Sequence, residues 1–253
     1  MAAPDKTAHK RYMAVVANKL LLGRYSLEET EYKLIRALLG KVEPFLAEKG
    51  TLCKGQDGQS LDCSQMYYLS VTEYAHLFGM ETSNARNVLA IAANNLFESF
   101  ITLREDSGSS KQKVIKLRWV QKIVFDSTND SVGVMWTNDV SKHISQLGSS
   151  FTQLRLEDIS KLSGSHTLRL YELLVCRFNE RGKKAKVMFT LEELYFMMDI
   201  STSFREYAEF KRRILLPSLA RINGIRDIAV EEGKRGRKVV NLTFVFGKLK
   251  VAL

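Results

Sequence analysis

Three adjacent cations in the second half of the chain have the chemistry that binds phosphate groups. They are Lys211, Arg212 and Arg213. Apolar residues recur around them at helical spacing, which places Tyr207, Phe210 and Ile214 on one face of a predicted helix. The opposite face carries Arg205 and Arg212, with Arg213 beside them. We expect this face to enter a groove of DNA, although a surface helix that is merely solvated would have the same pattern.

A proline within this predicted helix constrains its shape. Pro217 has no N–H to bond the carbonyl of Arg213, which costs ~3 kcal/mol in a straight helix. We expect the helix either to kink there or to stop and restart. In both cases the basic residues lie in its N-terminal part, which enters the groove in most helix-turn-helix proteins.

A second basic cluster follows in the segment Glu232-Gly-Lys-Arg-Gly-Arg-Lys238. Its cations are Lys234, Arg235, Arg237 and Lys238. The two glycines permit a tight turn between two alternating strands, and cations at its tip would follow phosphates or a narrow minor groove. A solvated hairpin tip is the alternative interpretation.

The net charge favours the same kind of partner. The 253 residues carry a formal charge of +10, and residues 151–253 hold 20 cations and 12 anions against 18 and 16 in residues 1–150. This excess indicates double-stranded DNA rather than a membrane, because no basic amphipathic anchor is present. The chain has no apolar run long enough to span a bilayer, no secretory signal pattern and no zinc-like spacing of its three cysteines. We therefore expect a cytoplasmic protein without metal or cofactor.

The elements that position these cations recur at a constant offset of 120 residues. Ser70 and Glu73 align with Thr190 and Glu193, and each pair has the spacing of a capping box, which begins a helix. After each short helix the pattern predicts a turn, at Thr82-Ser83 in the first half and Thr202-Ser203 in the second. A longer helix and two alternating strands then follow in both halves.

This order is typical of a winged helix-turn-helix, whose second helix enters the major groove. We predict an α+β fold of two tandem winged-helix domains, residues 1–147 (with 1–12 as a flexible arm) and residues 148–253, the main DNA-binding domain. The linker would be Gly148-Ser149-Ser150, and the first-domain wing would consist of strands Ile101–Arg104 and Val114–Val120. The first-domain candidates for DNA contact are Ser83, Asn84, Arg86, Asn87, Lys111 and Lys113.

The sequence gives little support for an ATPase, a metal-dependent enzyme or a recombinase. The chain has no G-x-x-x-x-G-K-[ST] loop, and its four histidines are not spaced for a metal. His166-Thr-Leu-Arg169 has the H-x-x-R spacing of tyrosine recombinases, for which Tyr195 or Tyr207 would be the nucleophile. An amphipathic helix with an exposed histidine near its start explains this segment better, because no separate upstream arginine motif is evident. We therefore expect no enzymatic activity.

Several segments resemble the iteron-binding plasmid replication initiators of the RepE type. They are Tyr25-Ser-Leu, Phe151-Thr-Gln-Leu-Arg-Leu156, Leu168-Arg-Leu-Tyr-Glu172, Phe210-Lys-Arg-Arg-Ile-Leu-Leu-Pro217 and Ile222-Asn223. The resemblance implies two winged-helix domains that bind direct repeats (iterons) at a plasmid origin as a monomer, help to open the DNA and recruit the host initiator and replicative helicase. It also implies a homodimer, joined through the first domain, that represses its own gene at an inverted repeat.

On this chain the resemblance places one set of cations in the recognition helix of the second domain and another in its wing. The first set is Arg205, Lys211, Arg212 and Arg213, and the second is Lys234, Arg235, Arg237 and Lys238. A dedicated transcriptional repressor would share these parts. Direct repeats beside the gene would favour an initiator and an isolated palindrome a repressor; the resemblance favours the initiator.

Overall fold

The computed structural model of the chain describes residues 13–41, 65–106, 112–145, 151–180, 186–201 and 206–249. The predicted arm at residues 1–12, the linker Gly148-Ser149-Ser150 and the turn Thr202-Ser203 lie outside the described residues.

Helices and strands are interspersed through both halves. The first half contains β1 (Met13–Ala17), α1 (Asn18–Leu21), α2 (Glu29–Lys41), β2 (Tyr67–Ser70), α3 (Val71–Phe78), α4 (Thr82–Glu98), β3 (Phe100–Asp106), β4 (Gln112–Arg118), β5 (Val120–Asp126), β6 (Ser131–Trp136) and α5 (Asn138–Ser145). The second half contains β7 (Phe151–Arg155), α6 (Leu156–Lys161), α7 (Ser165–Glu180), β8 (Lys186–Thr190), α8 (Leu191–Met197), α9 (Tyr207–Phe210), a π-helical segment (Lys211–Leu215), α10 (Leu216–Ile222), β9 (Arg226–Arg235) and β10 (Lys238–Leu249). The segment from α9 to α10 is continuous, and we call residues 207–222 the basic helix.

Both halves contain the same three-stranded antiparallel sheet. In the first half β2 pairs with β6 and β6 with β5, and in the second half β8 pairs with β10 and β10 with β9. In each half the opening strand leads into two helices, and the last strand of the following hairpin returns beside it. This is the winged-helix arrangement, and the predicted α+β fold of two tandem winged-helix domains is confirmed.

The two predicted capping boxes begin equivalent helices. The Ser70 hydroxyl accepts the N–H of Glu73 at 3.1 Å, and the Glu73 carboxylate accepts the N–H of Ser70 at 3.1 Å. Thr190 and Glu193 form the same pair of bonds at 3.1 and 2.9 Å. Each box fixes the start of the short helix that precedes the longer helix of its half.

Replacing Thr190 by alanine is expected to lower the free energy of unfolding by about 1 kcal/mol, because the N–H of Glu193 loses its acceptor. Urea unfolding measures this change. Thr128→Ala is the control, since Thr128 is exposed in a turn, and its effect is expected to stay within about 0.5 kcal/mol. Equal effects of the two changes would contradict the importance of the cap.

The wing of the first domain is a different hairpin from the one predicted. The predicted strands lie in β3 and β4, which form a separate two-stranded sheet, whereas the hairpin beside β2 is β5–β6, with its turn at residues 127–130. The prediction was wrong because both hairpins contain strands of similar length, and only the pairing of β2 with β6 decides which one completes the sheet. Instead, β3 bonds the loop before α2 through two backbone hydrogen bonds of 2.8 Å between Arg24 and Thr102.

The longer helix of the first domain begins earlier than predicted. Its N-cap is Glu81, so Thr82 and Ser83 already lie in the first turn of α4 and do not precede it. The preceding α3 ends at Gly79, whose φ of 62° lies in the left-handed region that favours glycine. This sharp C-cap reverses the chain within two residues, which the sequence pattern alone did not reveal.

The two halves share a strand pair and a continuous core. Along its length β1 pairs antiparallel with β7, from Met13 opposite Arg155 to Ala17 opposite Phe151. Most of the buried apolar side chains form one cluster that extends through both halves, and Val15 and Ala17 form a second, small one with Phe151. A strand that follows the predicted domain boundary therefore completes a sheet with the start of the chain. The boundary at residues 147 and 148 stays a prediction.

Candidate nucleic-acid interface

The basic helix continues past Pro217 without stopping. Within its π-helical segment the N–H of Leu216 donates to the carbonyl of Lys211, five residues earlier, and the backbone on both sides remains right-handed helical. The wider turn accommodates the missing N–H of Pro217, and the predicted stop and restart is not found. Such π turns are rare and often lie at functional sites.

The basic helix buries one face and exposes its cations on the other. The buried side chains are Phe210, Ile214, Leu215, Ser218, Leu219 and Ile222. The side chains of Lys211, Arg212 and Arg213 are 41%, 64% and 55% exposed. The predicted amphipathic pattern is therefore confirmed for these residues, whereas Arg205 lies outside the described residues.

The three adjacent cations Lys211, Arg212 and Arg213 each have a carboxylate partner in the second half of the chain. Arg212 Nη2 lies 2.9 Å from Glu209 Oε2, and Arg213 Nε lies 2.7 Å from the same oxygen. The hydrogen bond from Arg212 is the largest of the influences that hold the pKa of Glu209 below its usual value. Both arginines are therefore held in place before any ligand arrives.

A carboxylate of the wing links this hairpin to the basic helix. Glu232 Oε1 accepts a hydrogen bond from the Tyr207 hydroxyl at 2.6 Å and another from Lys211 Nζ at 2.7 Å. The bond from Lys211 contributes most to lowering the pKa of Glu232, followed by the bond from Tyr207. These contacts fix the position of the helix relative to the wing.

The tip of the second-domain wing presents cations to solvent. Lys234, Arg235, Arg237 and Lys238 are all exposed around Gly236, whose φ of 62° permits the tight turn. Lys234 lies 3.8 Å from Glu232. Within the described part of the chain, Arg235, Arg237 and Lys238 form no ion pair, so the tip differs in this respect from the basic helix.

The first domain has a similar link between wing and helix. Ser83, Asn84, Arg86 and Asn87 are exposed on the first two turns of α4. Arg86 donates to both carboxylate oxygens of Asp130, at 2.8 and 2.7 Å. Asp130 ends the turn of the β5–β6 wing with a φ of 46°. In both domains an acidic residue of the wing thus binds a cation near the start of the second helix.

Lys113, one of the two lysines predicted to contact DNA in the first domain, does not lie on this wing. Lys113 is exposed on β4, 4.0 Å from Glu105, and Lys111 lies outside the described residues. Their contact with DNA stays a prediction.

A buried polar cluster between the two halves was missed by the sequence analysis. Glu172 accepts a hydrogen bond from Arg36 Nε at 2.5 Å and another from the Tyr25 hydroxyl at 3.1 Å. Arg169 donates to the Tyr25 hydroxyl at 2.6 Å and to the carbonyls of Gly23 and Met197 at 2.5 and 3.0 Å. Burial is the main reason that the pKa of Tyr25 rises to about 12. We call Tyr25, Arg36, Arg169 and Glu172 the interdomain cluster.

This cluster accounts for the H-x-x-R segment. The Arg169 side chain is 2% exposed and its donors bind groups of the protein itself, so it does not present a cation to a phosphate. His166 is exposed near the start of this helix, as predicted, and partial desolvation lowers the pKa of its imidazole. The Tyr207 hydroxyl donates to the Glu232 carboxylate, which also accepts a hydrogen bond from Lys211.

None of the helices among the described residues combines the length and the apolar character needed to cross a bilayer. Nor do these residues bring three His, Cys, Asp or Glu side chains together as metal ligands would be.

Comparisons with known proteins agree with this architecture. The family model for "Initiator Replication protein, WH1" matches residues 13–175, and that for "Initiator Rep protein, WH2" matches residues 190–246. A replication initiation protein of Escherichia coli is 23% identical over 229 residues, which cover 90% of this chain and 67% of that protein. The crystal structure of the Pi initiator protein in complex with iteron DNA shares the fold, with a TM-score of 0.70 and 19% identity over 94% of this chain and 97% of that one. Since the first family model alone matches more than half of the residues, this chain belongs to the initiator replication protein family.

Proposed function

We propose that this protein is a plasmid replication initiator that binds direct repeats at its origin through both winged-helix domains. The observation that supports this most strongly is the exposed cationic face of the basic helix, next to a wing whose tip carries further cations. The planar guanidinium of arginine can donate two hydrogen bonds to a phosphate or to the edge of a guanine in a major groove. The similar chain of the Pi initiator is described in complex with iteron DNA, which agrees with this assignment.

The proposed DNA contacts lie in both halves of the chain. In the second domain they are Arg205, Lys211, Arg212 and Arg213 of the helix region and Lys234, Arg235, Arg237 and Lys238 of the wing. In the first domain they are Ser83, Asn84, Arg86 and Asn87 at the start of α4, together with Lys113 on β4 and Lys111. We propose the first group as the principal contacts, because its cations are concentrated on one helix and one wing.

Further steps of initiation are part of the same proposal. Bound to the repeats as a monomer, the protein would help to open the origin and recruit the host initiator and the replicative helicase in the cytoplasm. As a homodimer it would repress its own gene at an inverted repeat. These roles need no catalytic group of its own, and a dedicated repressor remains the second candidate because it would use the same DNA-binding surfaces.

The test is fluorescence anisotropy of the purified protein with a direct repeat from DNA flanking its own gene. A scrambled duplex of equal length is the control, and both are measured at two salt concentrations. We expect at least about a thousandfold preference for the repeat and a steep salt dependence. Weak and equal binding to both duplexes would contradict the proposed function.

Footprinting on the same repeat is expected to show two protected major-groove regions about one helical turn apart, because two recognition helices would enter successive grooves. Hydroxyl-radical cleavage measures the spacing directly. A single short protected patch would show that only one domain reads the repeat.

A further inference from the structure

Two acidic side chains lie within the cationic surface proposed to face DNA, where a negative charge would repel phosphates. Glu232 has a structural explanation, since it joins the wing to the basic helix through Tyr207 and Lys211. Glu209 has no such link, since its recorded partners are Arg212 and Arg213 of the same helix. The negative charge of Glu209 should weaken DNA binding, because it repels phosphates. We therefore expect a contribution of Glu209 that offsets this repulsion.

The geometry of Glu209 is that of a clamp on two guanidinium groups. Arg212 Nη2 donates to both oxygens of the carboxylate, at 3.1 and 2.9 Å, and Arg213 Nε lies 2.7 Å from one of them. Arg212 reaches both oxygens through the one nitrogen Nη2. Both side chains remain more than half exposed, so each guanidinium is fixed in orientation and still accessible to a ligand.

We propose that Glu209 is a positioning residue that fixes Arg212 and Arg213 in the orientation in which they bind the DNA repeat. This inference rests on the proposed function. Long arginine side chains lose rotamer freedom when they bind a ligand, and a protein that has already ordered them avoids that loss. The carboxylate therefore stabilises the complex with the correct site, although its charge alone would weaken binding to any DNA.

The charge of Glu209 and its orientation of the two arginines change the affinity for DNA in opposite directions, so the two effects can be measured separately. Charge acts on every duplex through the phosphates, whereas orientation matters only where fixed base and phosphate acceptors meet both arginines. Removing the charge should raise the affinity for scrambled DNA. Removing the clamp should lower the affinity for the repeat. A pair that only stabilised the helix, by about 0.3–0.5 kcal/mol, would change neither affinity beyond the effect of charge.

Three variants separate charge from orientation. Glu209→Gln removes both the charge and the clamp, whereas Glu209→Asp keeps the charge and shortens the side chain so that it no longer reaches both arginines. Glu206→Gln is the matched control, because Glu206 is exposed three residues earlier and forms no ion pair with any described residue. It changes the net charge by the same amount as Glu209→Gln.

The experiment is anisotropy of all three variants and the wild-type protein against the direct repeat and the scrambled duplex. We expect Glu209→Gln to bind the scramble about twofold more tightly, as Glu206→Gln does, and to bind the repeat about tenfold more weakly. Glu209→Asp should bind the scramble like the wild type and the repeat more weakly.

The role of Glu209 is overturned if Glu209→Gln behaves like Glu206→Gln, or if Glu209→Asp binds the repeat like the wild type. Loss of any preference in the wild-type protein itself would instead contradict the proposed function.

Discussion

Replacing Glu172 by glutamine is expected to lower the free energy of unfolding by about 3–5 kcal/mol, because it leaves two buried arginines without their counter-ion. Arg36 and Arg169 are both at most 2% exposed, and the Glu172 carboxylate is the acid that binds Arg36 directly and lies 3.6 Å from Arg169. Glutamine has nearly the same shape, so the loss comes from charge and not from a cavity. Urea unfolding measures the free energy, and thermal unfolding should show a decrease in Tm of about 10 °C.

The control for this change is Glu157→Gln. Glu157 also pairs with two cations, Arg155 and Lys161, but its side chain is 54% exposed. Exposed pairs contribute at most about 1 kcal/mol, because water and salt screen them. If the two variants lost similar stability, the interdomain cluster would not depend on the buried charge of Glu172.

The interdomain cluster stabilises the fold and also joins the two halves of the chain. Tyr25 and Gly23 belong to the loop before α2, whereas Arg169 and Met197 belong to α7 and α8 of the second half. The cluster therefore holds these segments of the first and second halves of the chain against each other. If the protein binds two successive grooves as proposed, we expect this fixed relation to set the distance between α4 and the basic helix.

The fold could be predicted because its strongest signals are local. A hydroxyl three residues before a glutamate specifies a helix start wherever it lies in the chain, and this is why Ser70–Glu73 and Thr190–Glu193 revealed the repeated unit. The spacing of Phe210 and Ile214 likewise placed the core side of the basic helix, and with it the exposed arginines.

The features that escaped prediction depend on contacts distant in sequence. The first-domain wing is β5–β6 because β2 bonds β6, a pairing that strand alternation does not encode. Arg36 and Glu172 are 136 residues apart, and each resembles an ordinary polar residue of an amphipathic helix. The sequence also did not reveal how the helix accommodates Pro217. It does so through a π turn, whose residues Ile214 and Leu215 are buried in the core.

Replacing both Arg212 and Arg213 by alanine is expected to weaken binding of the direct repeat about a hundredfold or more. Each well-placed arginine contact contributes about 1–3 kcal/mol of discrimination, and the two lie side by side on the exposed face of the basic helix. Without them Glu209 also loses both of its partners and faces the phosphates as an uncompensated charge. Anisotropy measures the affinity, and the slope of log K against log salt should become shallower by about two units.

The matched control is the double variant Lys161→Ala/Lys186→Ala. It removes the same charge from exposed residues of the second half, and both lysines are likewise paired with glutamates, Glu157 and Glu231. We expect it to weaken binding of the repeat and of scrambled DNA by similar, small factors, because these lysines act only through the general field of the protein. Circular dichroism should show that both variants remain folded.

If the arginine variant also lost affinity equally for both duplexes, the basic helix would act as a non-specific phosphate-binding surface. Sequence recognition would then have to lie in α4 of the first domain, where Arg86 is already held by Asp130.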